Sequence, residues 1–148
     1  MSAAHYLESA PYPVGREKIR EFATAVGASD TLHTDVDTAR RLGYPDVVAP
    51  PTFPIVLTYP ADHRALSDPD LALDLGYVVL LGQEFTQHRP VVAGDVLRVR
   101  TELAGHRRLV SRVELITSHR VLAEDGSPVT DVRTTILSRP REGAAVRE

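Results

Sequence analysis

The residues best suited to acid–base chemistry lie in one short segment. Asp30 and His33 stand three positions apart, and a carboxylate with an imidazole can move a proton near neutral pH. Each also has an ordinary structural role, because Asp30 can cap the turn that follows it and His33 can bond a backbone group. His33 and Asp35 could both touch a metal, but two ligands without a third do not make a zinc site. We therefore expect neither a metal nor a cofactor.

Composition limits the class of protein. A chain of 148 residues, 43% of them apolar, can form one globular domain, which we expect over residues 1–140 with a disordered tail over 141–148. It has no cysteine, which excludes disulfides and cysteine nucleophiles. Its net charge of −3 and scattered arginines argue against a nucleic-acid partner. Residues 1–10 do not resemble a signal peptide and no apolar run approaches the roughly 20 residues that cross a bilayer, so we expect a cytoplasmic protein without a membrane partner.

The elements that position these residues change in type along the chain. Apolar spacing in the first half predicts helices over 16–26, from Asp35 to Leu42, and over 52–59, the last being short and buried. Alternation in the second half predicts strands over 77–88, 96–103, 109–122 and 129–137. The segment 61–75 is interpreted as a loop or lid of low order. Helices followed by an antiparallel sheet predict an α+β fold in which the sheet wraps round the buried helix.

Three stretches of the sequence are similar to a known family. They are Tyr12 to Asp35, Leu42 to Leu57 and Gly82 to Leu97, with the motifs YPVGREKIREFA, LGYPDVVAPPTF and GQEFTQHRPVVAGDVL. Together they resemble the MaoC-like, FAS1-type (R)-3-hydroxyacyl-thioester dehydratases, especially subunits of the mycobacterial fatty-acid elongation dehydratase. The resemblance implies a hotdog fold and an acyl thioester substrate carried on coenzyme A or acyl carrier protein. It also implies a homodimer, or a heterodimer with a catalytic hotdog subunit.

The resemblance further implies which residues would act. In the family, an Asp and a His five residues later serve as the acid–base pair, within the pattern Gly-Asp-x-Asn-Pro-x-His. Here Gly27 and His33 match, Ala28 stands at the catalytic Asp, and Asp30 stands at the Asn. A Gly that donates its N–H to the thioester oxygen is matched by Pro51, which has no N–H. The resemblance therefore implies an incomplete catalytic site, with His33 and Asp30 as the remaining catalytic candidates.

Four further residues are candidates for binding the substrate. Thr52 and Phe53 follow Pro51, and either could donate its backbone N–H in place of the missing Gly. Val56 is placed on the buried helix against the sheet. His88 could line a substrate tunnel, although a histidine satisfied at the end of a strand is the commoner case.

Three functions remain open on the sequence. The first, which we favour, is an acyl-binding or scaffolding subunit whose homologous partner brings an intact Asp and His. The second is a self-sufficient hydratase in which Asp30 and His33 have taken over the chemistry. The third is a non-enzymatic module that binds acyl thioesters. A neighbouring reading frame with a complete Gly-Asp-x-Asn-Pro-x-His stretch would favour the first.

Overall fold

The second half of the chain forms a long antiparallel sheet. The computed structural model describes residues 7–143. Its strands are β1 (Leu7–Glu8), β2 (Tyr12–Pro13), β3 (Leu73–Gln87), β4 (Val96–Arg108), β5 (Val113–Leu122) and β6 (Pro128–Pro140). The order across the sheet is β1-β4-β5-β6-β3, and β2 also pairs with β4. The predicted antiparallel sheet is confirmed, and β3 lies at its edge.

Three helices accompany the sheet: α1 (Arg16–Val26), α2 (Val36–Arg41) and α3 (Ile55–Leu66). Helix α1 has the predicted bounds, and Ile19 and Ala23 are its buried residues. Gly27 ends it with a φ of 71°, a left-handed conformation that costs glycine little. Helix α2 begins after Asp35, whose carboxylate accepts a hydrogen bond from the backbone N–H of Thr38.

The buried helix differs from its prediction over 52–59. Residues 51–54 form turns, and α3 begins at Ile55 and continues to Leu66. Pro60 lies inside the helix and removes one backbone donor, but Leu57 and Leu66 are both buried on either side of it. The loop predicted over 61–75 is therefore wrong, since its first residues are helical and β3 begins at Leu73. Apolar burial along the whole helix outweighs the lost hydrogen bond.

The core lies between α3 and one face of the sheet. Towards its start, α3 packs in a cluster of buried residues that includes Phe53, Leu57, Leu97, Val99, Val121 and Val129. Towards its end, a second cluster contains Leu66, Leu73, Val113, Leu115 and Ile136. Each fully buried side chain of this size contributes roughly 1.5–3 kcal/mol. The sheet packs along the helix, as the sequence pattern predicts.

Burial alternates along β5, along β6 and over the first part of β4, as predicted, whereas β3 is exposed over most of its length. In β5, Val113, Leu115 and Val121 are buried while Arg120 is exposed. In β4, the alternation that buries Leu97 and Val99 predicts a buried Leu103, but Leu103 is 40% exposed because burial is lost along the second half of the strand. Residues 144–148 of the predicted tail lie outside the described residues. Within residues 7–143, no helix is long and apolar enough to cross a membrane.

Candidate functional site

The loop that carries His33 is held against the segment before α3. His33 Nδ1 lies 2.6 Å from the carbonyl oxygen of Val48, and the Val48 N–H donates to the carbonyl of Leu32 at 3.0 Å. Because a carbonyl only accepts, Nδ1 must carry a proton, and in the neutral ring Nε2 is then the free acceptor. His33 is half-buried and can act as one base or ligand-binding group.

The three sequence motifs meet at this place. Val48 of the second stretch is bonded to Leu32 and His33 of the first stretch, and it joins the third through the Val48–Val92 β-bridge. Ala49 N–H donates to the carbonyl of Val91 at 2.8 Å, and Ala93 N–H donates to the carbonyl of Val47 at 3.0 Å. These backbone bonds therefore join the three stretches and fix the backbone next to His33.

Two ion pairs brace this junction. Arg16 makes a two-bond contact with Asp46, at 2.9 and 2.8 Å, and these bonds hold the pKa of Asp46 below its ordinary value. Arg89 donates two hydrogen bonds to the Asp95 carboxylate in the same way, at 2.9 and 3.0 Å, and these bonds raise the pKa of Arg89. Forked arginine–carboxylate pairs fix orientation as well as charge. They tie α1 and the turn before β4 to the segments that carry the site.

Asp30 and His33 are neighbours in the chain but their side chains are not bonded. The carboxylate of Asp30 accepts from the N–H of Leu32 at 3.1 Å and caps the short 3-10 helix Thr31–His33. Ala28, at the position of the family's carboxylate, is half-buried. Within the part of the chain that the structure describes, no carboxylate is bonded to the His33 ring.

The start of α3 offers one free backbone donor. The Phe53 N–H donates to the carbonyl of Pro50 at 2.9 Å, and Pro51 and Pro54 have no N–H. Among the described residues, the Thr52 N–H has no hydrogen-bond partner, and Thr52 is exposed. A free N–H in the turn that precedes a helix can stabilise a developing negative charge. Of the two predicted donors, Thr52 is the one that remains available.

Of the other predicted binding residues, Phe53 and Val56 lie together in the first core cluster, and His88 directly follows β3. The Phe53 ring is fully buried and packs edge-on against Phe22, with 5.5 Å between the ring centroids. Val56 is half-buried beside the first core cluster. His88 follows β3, and its Nε2 lies 2.7 Å from a carboxylate oxygen of Asp131. Their roles towards a substrate stay predictions.

A buried polar network under α3 was missed from the sequence. Asp62 on α3 meets His119 and Thr117 on β5, with 2.8 Å from its Oδ1 to His119 Nε2 and 2.6 Å to Thr117 Oγ1. His119 Nδ1 lies 2.8 Å from Thr101 Oγ1 on β4. The available signal was the alternation itself, because His119 and Thr117 have the same parity as Val113 and are therefore inward-facing. Asp62 was not recognised as an inward-facing residue because residues 61–75 were predicted to form a loop.

An apolar pocket of about 180 Å³ opens beside this network. It lies between α3 and the strands β3 and β6, and its lining includes Ile55, Tyr59, Leu66, Leu75, Val78 and Leu80. Asp62 contributes a carboxylate to the wall. As the described residues define it, the pocket is lined by none of the residues singled out from the sequence.

Comparison with known proteins identifies the family. The model of the family described as "FAS1-like, dehydratase domain region" matches residues 2–132. The chain belongs to this family. Similar proteins include a UPF0336 protein of Streptomyces coelicolor, 42% identical over 94% of this chain and 93% of that protein. Another, from Saccharopolyspora erythraea, is 41% identical over 90% of this chain and 86% of that protein.

Solved structures show the same fold. A MaoC-like dehydratase superposes with a TM-score of 0.85 at 34% identity, covering 93% of this chain and 42% of that longer chain. The C-terminally truncated HadBC (3R-hydroxyacyl-ACP dehydratase) complex of Mycobacterium tuberculosis gives a TM-score of 0.80 at 29% identity, with 90% and 95% covered. The FAS1-like chain is thus a hotdog protein of the MaoC-like dehydratase type, and the predicted fold is confirmed.

Proposed function

We propose that this FAS1-like chain is the acyl-binding or scaffolding subunit of an (R)-specific 3-hydroxyacyl-thioester dehydratase. A homologous hotdog partner then supplies the complete acid–base pair. The observation that carries the proposal is the environment of His33, whose Nδ1 is bonded to the Val48 carbonyl and whose ring has no carboxylate partner among residues 7–143. Ala28 occupies the position where the family places that carboxylate.

The chemistry explains why the missing group matters. Loss of water from a 3-hydroxyacyl thioester requires one group to take the proton from the second carbon and one to protonate the departing hydroxyl. His33 Nε2 can serve as a single base, but Ala28 can neither accept nor donate a proton. Asp30 is exposed and bonded to the Leu32 N–H, so its carboxylate is committed to capping. The site retains one of the two functions.

The edge strand β3 supports a partner. Six of its large apolar residues are 41–55% exposed, namely Leu75, Tyr77, Val78, Val79, Leu80 and Leu81. Because successive residues of a strand point to opposite faces, both faces of β3 are open here. An exposed apolar edge strand tends to pair with a strand of another sheet. A second hotdog chain, either another copy or the catalytic subunit, fits this edge.

An enoyl hydration assay tests the proposal. We expect the purified chain alone to consume crotonyl-coenzyme A about a hundredfold to ten-thousandfold more slowly than an intact relative, because loss of a general acid or base has that effect. Absorbance of the conjugated thioester gives the rate. Ala28→Asp restores the carboxylate at the family position, so a rise in rate in that variant supports the assignment. Full turnover by the unmodified chain contradicts the subunit role and indicates that Asp30 and His33 act as the acid–base pair.

A further inference from the structure

The buried network leaves one carboxylate oxygen of Asp62 without a partner among residues 7–143, and Asp62 lines the pocket. Asp62 is 6% exposed, and its Oδ1 is shared by His119 and Thr117. Its Oδ2 accepts no hydrogen bond from any residue in the described range 7–143, and Asp62 is part of the pocket wall. A buried carboxylate with an open oxygen requires a donor from whatever fills the space beside it.

One assignment of protons gives every donor in the network an acceptor. The Thr101 hydroxyl donates to His119 Nδ1, His119 Nε2–H donates to Asp62 Oδ1, and the Thr117 hydroxyl donates to the same oxygen. If His119 Nδ1 carried the proton instead, the Thr101 hydroxyl would have no acceptor. The network therefore presents Asp62 as a fixed hydrogen-bond acceptor.

The rest of the pocket suits an aliphatic chain. Its volume of about 180 Å³ is a little larger than a cavity that holds a benzene-sized group of roughly 150 Å³. Ile55, Leu66 and Leu80 are among the apolar residues that line it. Asp62 lies seven residues beyond Ile55, which places it about 10 Å further along the axis of α3.

We propose that this pocket binds the distal part of an acyl chain that carries a hydroxyl group, with Asp62 Oδ2 accepting the hydrogen bond from that hydroxyl. The inference rests on the proposed function, since it names the class of acyl chain that the binding subunit takes. The distance from the start of α3 makes this hydroxyl separate from the one that the dehydratase removes. The natural ligands are therefore acyl thioesters hydroxylated far from the thioester.

A neutral hydroxyl fits the site better than an ammonium group. Asp62 loses the same water whichever group enters the pocket, but an ammonium group must lose a much stronger hydration than a hydroxyl does. His63 also lies on the pocket wall and, when protonated, would repel a cation.

Calorimetric titration of the full chain tests the inference with three probes. They are decanoyl-coenzyme A and its analogues with a hydroxyl or a keto group on the penultimate carbon. The keto oxygen only accepts hydrogen bonds, so it is opposed by the carboxylate. We expect the hydroxy chain to bind about tenfold more tightly than the keto chain, as a hydrogen bond to a charged group allows.

Asp62→Asn turns this acceptor into a donor. His119 and Thr117 hold the side-chain oxygen, so the amide nitrogen would face the pocket and the preference should reverse in favour of the keto chain. Asp70→Asn changes an exposed carboxylate outside the pocket and should leave the preference unchanged.

The outcomes separate the two proposals. Equal binding of all three probes by the unmodified chain overturns the role of Asp62 and leaves the acyl-binding subunit intact. Binding of none of them overturns both. If Asp62→Asn does not fold, the comparison of hydroxy and keto chains on the unmodified protein still tests whether the pocket prefers a hydroxyl donor.

Discussion

At the scale of single residues, His33 distinguishes a binding subunit from a catalytic one. In the complex with a catalytic partner, we expect His33→Ala to change kcat by less than about threefold, because a residue that only shapes the loop affects binding and not the chemical step. Steady-state kinetics of the reconstituted dehydratase measure this. A fall of about a hundredfold or more with unchanged KM would mean that His33 is a catalytic base, and Asp30→Asn should then cause a comparable loss.

Asp46 should make stability depend on acid pH. Its pKa in the folded chain is lowered, first by the hydrogen bonds from Arg16, so the pair stabilises the fold above the ordinary value of 3.8 and this contribution is lost as pH falls through the folded pKa. We expect Asp46→Asn to cost at most about 1 kcal/mol near neutral pH, because Arg16 is partly exposed and solvent screens the pair. Urea unfolding of both proteins should give a difference that shrinks below pH 3.8. A difference independent of pH would exclude this role.

Single residues were predicted from sequence where local chemistry decides them. The cap at Asp30 and the end of α1 at Gly27 depend on a few neighbouring backbone groups, and both were readable in advance. The bond from His33 to Val48 joins residues fifteen positions apart, so only the family pattern could point to that loop. The partnership of Asp62 with His119 spans 57 positions and had no local signal.

At the scale of elements, the Asp62 and His119 pair fastens α3 to β5. Removing one member leaves the other buried without its partner, so His119→Leu should lower the free energy of unfolding by about 3–5 kcal/mol. Replacing both Asp62 and His119 by Leu should recover at least about 1 kcal/mol of that loss, because no uncompensated carboxylate remains. Denaturant unfolding of the two variants measures the difference. If the double variant is less stable than His119→Leu, the pair does not act as a coupled unit.

The elements themselves show where sequence patterns suffice. Helix α1 and the strands β4 to β6 were predicted well, since each has one buried face with a regular period over most of its length. Helix α3 was predicted to end at Tyr59 because Pro60 ordinarily ends a helix, and its apolar period is weak because the polar residues Thr58 and Asp62 lie on its buried face. What keeps α3 helical to Leu66 is the sheet around it, which the local sequence does not encode.

At the scale of the whole molecule, β3 should decide assembly. Among residues 7–143 the strand pairs with β6 alone, and that pairing is interrupted between Asp74 and Val79, so many of its apolar side chains are about half exposed and its other edge is unpaired. A second sheet added at this edge would cover them and complete the hydrogen bonds of the strand. We expect sedimentation to show a dimer or larger species at micromolar concentration, with a Tm that falls on dilution.

Val79→Lys should shift the protein to monomer, since it places a charge where the partner packs. Val110→Lys makes the same change at a fully exposed position in the turn between β4 and β5, away from β3, and should leave assembly unchanged. If the unmodified chain is a compact monomer at these concentrations, the chain does not self-associate through β3.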